Sequence, residues 1–159
     1  MNRNSTAIIG LGNYLLADEG AGMHAVEILR EKVYSKKVDF VDAGTPGMNL
    51  LHHFDQREKI IFIDSGECGL SPGEYSRFSP KEVISLKKEK NFSLHDFDLI
   101  AFIKKADELG MVNGTEIVVY CMQAGEIKMS QELSKDVREG MFAMVDEIYS
   151  DIEGGWEDA

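Results

Sequence analysis

At 159 residues the chain is sized for one domain, residues 1–159, with enough length to bury one real core. Seventeen Lys and Arg against twenty-eight Asp and Glu leave a net charge of −11, which argues against nucleic acid as a partner, because that binding depends on cations neutralising phosphates. A hydrophobic fraction of 43% and a charged fraction of 28% are ordinary for a soluble globular protein. No run approaches the roughly 18 apolar residues of a membrane helix. The start, residues 1–6, is followed by too few apolar residues for a signal-peptide core. The two cysteines, Cys68 and Cys121, form neither a C-x-x-C pair nor a disulfide framework. These features together predict a cytoplasmic protein with no membrane partner.

The first element sets the organisation. Ala7-Ile8-Ile9 reads as a strand and runs into a glycine-rich loop, Gly10 to Gly22. A helix follows from about residue 20 to 34, with Met23, Val26, Leu29 and Val33 at three- and four-residue spacing. Val38 to Asp42 alternates as a strand should. Ala43-Gly44-Thr45-Pro46-Gly47 is a turn, and Met48 to Phe54 a short helix. Lys59 to Asp64 is a strand without alternation, as expected when both faces are covered; it ends at Asp64. Residues 66–72 are loop, and 73–78 another strand. Lys81 to Lys90 is charged and lysine-rich, a surface segment or a mobile loop. Ser93 is a plausible N-cap, with Asp96 three residues on, for a helix reaching about Leu109. Glu116 to Met122 is a second all-apolar strand. The last helix carries Leu133, Val137, Met141, Met144, Ile148 and Ile152 on one face, and residues 154–159 form a frayed tail.

Alternating strands and helices predict an α/β fold: a three-layer α/β/α sandwich with a mostly parallel sheet of about five strands. The strand at 73–78 has no helix before it, so it is the candidate for an antiparallel edge.

Three polar groups fall at one edge of such a sheet. Glu19 follows the first strand, Asp64 ends the third, and His95 opens the helix after the lysine-rich stretch. Strand ends and the starts of the following helices share one edge in a parallel sheet. One histidine and two carboxylates suit a divalent metal of intermediate hardness: nickel, zinc or manganese. Each residue also has a plainer reading. Glu19 complements a helix N-terminus, Asp64 caps a loop, and His95 is a surface histidine.

The glycine loop hints at dinucleotide binding, but Leu15 stands where the third glycine of G-x-G-x-x-G belongs. Asp18 and Glu19 are also the wrong charge for a pyrophosphate. The Gly-Leu-Gly-Asn turn resembles that of peptidyl-tRNA hydrolases, yet Tyr14 replaces their proline and the net charge is wrong for tRNA. A cysteine-protease reading would use Cys68 with His95, but Glu67 and Asp64 nearby disfavour a thiolate. Cys68 is better read as a spare loop cysteine and Cys121 as core. His24, His52 and His53 read as structural or exposed; adjacent on a helix, the last two diverge by about 100°.

Gly10-Leu11-Gly12-Asn13 with Leu16, Asp18-Glu19-Gly20 and Gly22 resembles the first signature of the hydrogenase maturation endopeptidases. Asp42-Ala43-Gly44-Thr45-x-Gly47 with Leu50 resembles the second, with Ala43 in place of a common glycine. Asp64 and His95 match the remaining positions. The resemblance implies an endopeptidase that removes a C-terminal extension from a nickel-iron hydrogenase large-subunit precursor once nickel has been inserted. It implies Glu19, Asp64 and His95 as metal ligands and as the catalytic set, with nickel carried by the substrate and other divalent metals able to substitute in vitro. The metal either polarises the scissile carbonyl or activates a water, or only anchors the precursor. The alternative from a different class is a metal-checking protein that binds a metalloenzyme precursor without cutting it. Asp18 caps the helix or competes for the metal, and Asp42 supports a loop or orients a ligand.

Overall fold

Apolar strands that fill both faces of a sheet set the architecture. The computed structural model describes residues 4–33, 37–44, 48–86, 93–94 and 99–157. β1 (Thr6–Leu11) lies parallel to β2 (Val38–Gly44) on one side and to β3 (Lys59–Glu67) on the other. β3 pairs in parallel with β6 (Glu116–Gln123). β4 (Tyr75–Phe78) closes the far edge antiparallel to β6, as its position without a preceding helix predicts. A further short strand, β5 (Ser93–Leu94), pairs antiparallel with the end of β3. The order is β2-β1-β3-β6-β4, with β5 beside β3.

Among the described residues four helices cover the sheet: α1 (Ala21–Lys32), α2 (Pro80–Leu86), α3 (Leu99–Glu108) and α4 (Lys135–Glu157). Successive strand residues point to opposite faces, and the core divides accordingly. Ile8, Ile61, Ile63, Val118 and Tyr120 pack with Ala25, Val26 and Leu29 of α1 and Met141, Met144 and Ile148 of α4. Ile9, Ile60, Phe62 and Val119 pack with Leu50, Phe54 and the α3 residues Leu99, Phe102 and Ile103. The three layers are therefore those expected from sequence. No helix among the described residues is long and apolar enough to cross a membrane.

Several boundaries differ. β3 runs on to Glu67, so Asp64 lies within the strand; β6 and β5 supply backbone partners beyond it, which a single-strand pattern does not reveal. Ser93 belongs to β5 and is not a helix cap, while Asp96 lies outside the described residues. The first half of the lysine-rich segment is helical, as α2. The expected frayed tail continues α4 to Glu157. Met48–His53 is a 3-10 turn, and its two imidazoles do not diverge: the His52 and His53 rings lie 5.0 Å apart.

The cysteines are the clearest correction. Cys68 and Cys121 form a disulfide, with Cα atoms 6.6 Å apart. They are 53 residues apart in sequence and form no motif; adjacency of β3 and β6 brings them together. Closing so long a loop restricts the unfolded chain, and the chain-entropy relation gives about 4 kcal/mol. Reduction is thus expected to lower the melting temperature by about 10 °C, measured by thermal melts with and without reductant. Superimposed melts would contradict this.

Candidate active site

Topology fixes where a site can form. The chain leaves β1 to build β2 on one side and β3 on the other, so the strand order reverses between β1 and β3. At such a switch point a crevice opens outside the carboxyl ends of the strands. The β1–β3 ladder has its last pair at Gly10 and Ile63. Pairing on β3 to β5 begins at Gly66 with Leu94. Asp64 and Ser65 fall in the gap between the two ladders.

The glycine loop fits against that gap. A Cβ on Gly22 would stand 2.6 Å from the Leu11 carbonyl oxygen and closer still to that of Ile63; one on Gly10 would stand 2.6 Å from the Gly22 carbonyl oxygen. These two glycines let α1 lie directly on the ends of β1 and β3. Gly12, at φ 130, turns the chain out of β1, and its N–H donates to the Gly44 carbonyl at 2.9 Å. The glycines thus serve close backbone packing. Gly22→Ala is expected to cost about 1–3 kcal/mol, the range for overpacking, and to lower activity more than the loss of fold explains, because α1 must shift off β3. Comparing denaturant midpoints with activity at a temperature where the variant is fully folded checks this.

Glu19 sits in the 3-10 turn Ala17–Gly20, which packs against β3. Its N–H donates to the Leu16 carbonyl and its carbonyl accepts from the Asn13 N–H, at 3.1 and 3.2 Å. Its side chain is half-buried. Asp64 is 1% exposed; its Oδ1 accepts the Ser65 N–H at 2.8 Å. Gly22 on Ile63 places the backbones carrying these two carboxylates against each other. His95 lies outside the described residues. Among the described residues no three His, Cys, Asp or Glu side chains gather as a metal site.

Asp18 has a different role from either anticipated. It is fully buried. Its Oδ2 accepts the N–H groups of Gly125 and Glu126 at 2.9 and 2.6 Å and the Ser134 hydroxyl at 2.8 Å; its Oδ1 accepts the Ser134 N–H at 2.8 Å. It ties the loop after β6 to the loop after β1. Ala17, buried at φ 50, donates its N–H to the Ser130 carbonyl at 2.7 Å. A non-glycine residue in the left-handed region costs about 1–2 kcal/mol, so this turn is held by its partners.

Asp42 is exposed at the end of β2. Burial and the neighbouring Glu27 push its carboxyl above the ordinary range, against Arg30. Tyr14 donates to Glu27 Oε2 at 2.7 Å, and its ring lies 4.5 Å from that of His24. Burial, then that bond to Glu27, raise the phenol to about 12. A protonated tyrosine donor therefore lines the α1 side of the loop. Sequence reasoning missed Gln123. Buried at the end of β6, it accepts the N–H groups of Cys68 and Leu70 and donates to Glu67 and the Ala124 carbonyl. It holds the loop after β3; only its place at the end of an apolar strand signals this. With Cys68 in a disulfide, no cysteine nucleophile stands at this edge among the described residues.

A profile described as hydrogenase maturation protease (HycI) matches residues 23–151. The chain is 29% identical over 144 residues to the hydrogenase expression/formation protein HupD of Bradyrhizobium diazoefficiens, a match covering 90% of this chain and 75% of HupD. It is 36% identical over 96 residues to HoxM of Azotobacter vinelandii, covering 60% of this chain but only 46% of HoxM. Among solved structures, the nickel-iron hydrogenase maturation protease HybD of Thermococcus kodakarensis superimposes with a TM-score of 0.79 at 31% identity, over 95% of this chain and 99% of that one.

Proposed function

The chain belongs to the hydrogenase maturation protease family, a family of endopeptidases, and from that premise we propose its specific activity. It removes the C-terminal extension of a nickel-iron hydrogenase large-subunit precursor after nickel has been inserted. The observation that supports this reading is the gap between the β1 and β5 ladders along β3, at the switch point, where Asp64 lies and where the turn bearing Glu19 packs against the same strand. β5 ends at Leu94, paired with Gly66, two residues beyond Asp64; His95 follows next in the chain.

In this reading Glu19, Asp64 and His95 are the protein ligands for nickel that arrives within the substrate. Two carboxylates and an imidazole suit a metal of that hardness, and three ligands leave positions for water or for the precursor's own groups. Held by these residues, the substrate's nickel would supply Lewis-acid chemistry, able to polarise the scissile carbonyl or activate a water. The residues supply position. Asp64 is fixed by the strand and by the Ser65 N–H, and Glu19 by the backbone bonds to Leu16 and Asn13. An enzyme that needs the substrate's nickel at its own ligands cuts only completed precursors.

The test is to incubate the purified protein with nickel-loaded precursor and follow intact mass. Loss of the C-terminal peptide is expected. An unchanged precursor mass overturns the reading; if the two proteins nevertheless associate tightly, the non-cleaving metal checker takes its place.

A further inference from the structure

The loop after β6 carries a feature that the metal chemistry does not use. Residues 125–129 are all exposed, and two of them are large and apolar: Ile127, 56% exposed, and Met129, 79% exposed. Leu15, on the loop that carries Glu19, is 50% exposed. The two loops that carry these side chains are joined. Leu16 and Ser130 form a parallel bridge; the Ser130 N–H donates to the Leu15 carbonyl at 2.9 Å, and the Ala17 N–H to the Ser130 carbonyl at 2.7 Å. That register sets Leu15 beside Met129, four residues before Glu19.

An exposed apolar cluster on a loosely held loop would be unremarkable. This loop is fastened at its base. The buried Asp18 carboxylate binds the N–H groups of Gly125 and Glu126 and both donors of Ser134. One residue thus joins the loop with the apolar side chains to the turn with the proposed metal ligand. The only charges within the exposed stretch, Glu126 and Lys128, neutralise each other in an ion pair at 3.3 Å. A neutral, apolar surface, ordered before binding, loses little conformational freedom on contact. Exposed apolar clusters of this kind mark interaction sites.

We infer that Leu15, Ile127 and Met129 are the docking surface for the protein substrate, taking apolar side chains of the precursor segment next to the scissile bond. Continuity with the Glu19 turn selects this occupant: whatever sits on Leu15 and Met129 abuts the crevice. The inference rests on the proposed function for the partner's identity. Asp18 is then the joint that keeps the docking surface in register with the ligands.

The test measures both binding and cleavage of nickel-loaded precursor, for the parent protein and for an Ile127→Ser/Met129→Ser variant. Both side chains are exposed, so the fold should be unaffected. The expected result is precursor affinity weakened at least about 10-fold (about 1.4 kcal/mol), with KM raised to match and kcat within about 2-fold. Leu109→Ser and Phe142→Ser, at apolar residues 55% and 50% exposed outside both loops, are expected to change neither quantity. Parent-like affinity in the double variant overturns the docking surface whatever the cleavage result. Equal loss in the Leu109→Ser and Phe142→Ser controls also overturns it. If the parent binds without cutting and the double variant loses binding, the docking surface stands and the endopeptidase reading fails. If the parent does not bind the precursor, both fail.

Discussion

Asp64→Asn is expected to lower kcat/KM for precursor cleavage by about 10³-fold or more, about 4 kcal/mol of transition-state stabilisation. Asparagine preserves the volume of this buried side chain and an oxygen to accept the Ser65 N–H. It removes the negative charge. A metal ligand set of two carboxylates and an imidazole loses half its anionic charge by that change, and Lewis-acid assistance of several kcal/mol depends on the metal being held. The fold should persist, with a melting temperature within about 3 °C of the parent, because the side chain keeps its shape and its acceptor for the Ser65 N–H. Cleavage rates and thermal melts of one preparation decide the matter. Activity within 10-fold of the parent would remove Asp64 from the ligand set. Glu19→Gln and His95→Ala are expected to show the same loss.

Asp18→Ala acts through structure. It leaves the N–H groups of Gly125, Glu126 and Ser134 without their acceptor. Each partly buried donor stranded in this way costs about 1–3 kcal/mol, and some will find water. A total loss of about 3–5 kcal/mol follows, lowering the melting temperature by about 10 °C. The docking loop should loosen as well. Amide hydrogen exchange at residues 125–134 is expected to accelerate more than exchange in β3 or β6, since local opening is reported residue by residue. A parent-like melt with unchanged exchange would show that Asp18 is not the fastening of this loop.

The difference between Asp18 and Glu19 marks where sequence reading stops. Adjacent acids in a glycine loop look alike on paper. In the fold one is fully buried and saturated by a distant loop, and the other is half-buried on a turn against β3. What separates them is a contact across more than a hundred residues, which periodicity does not carry. The layers and the strands were legible, because unbroken apolar runs at 60–63 and 117–122 demand cover on both faces. The edge strand at 73–78 was legible from the missing helix before it. The Cys68–Cys121 disulfide and the Gln123 bracket were not, since each depends on β3 and β6 lying side by side. The glycines signalled a special loop, but their work, letting α1 touch β3, shows only when the neighbouring carbonyl oxygens are in place.

One measurement bears most directly on the central claim. Nickel-loaded and nickel-free forms of the same large-subunit precursor are incubated side by side with the purified protein, and their intact masses are followed. The account predicts that the nickel-loaded form loses a single C-terminal peptide while the nickel-free form keeps its full mass. Equal cutting of both forms, or of neither, would contradict it.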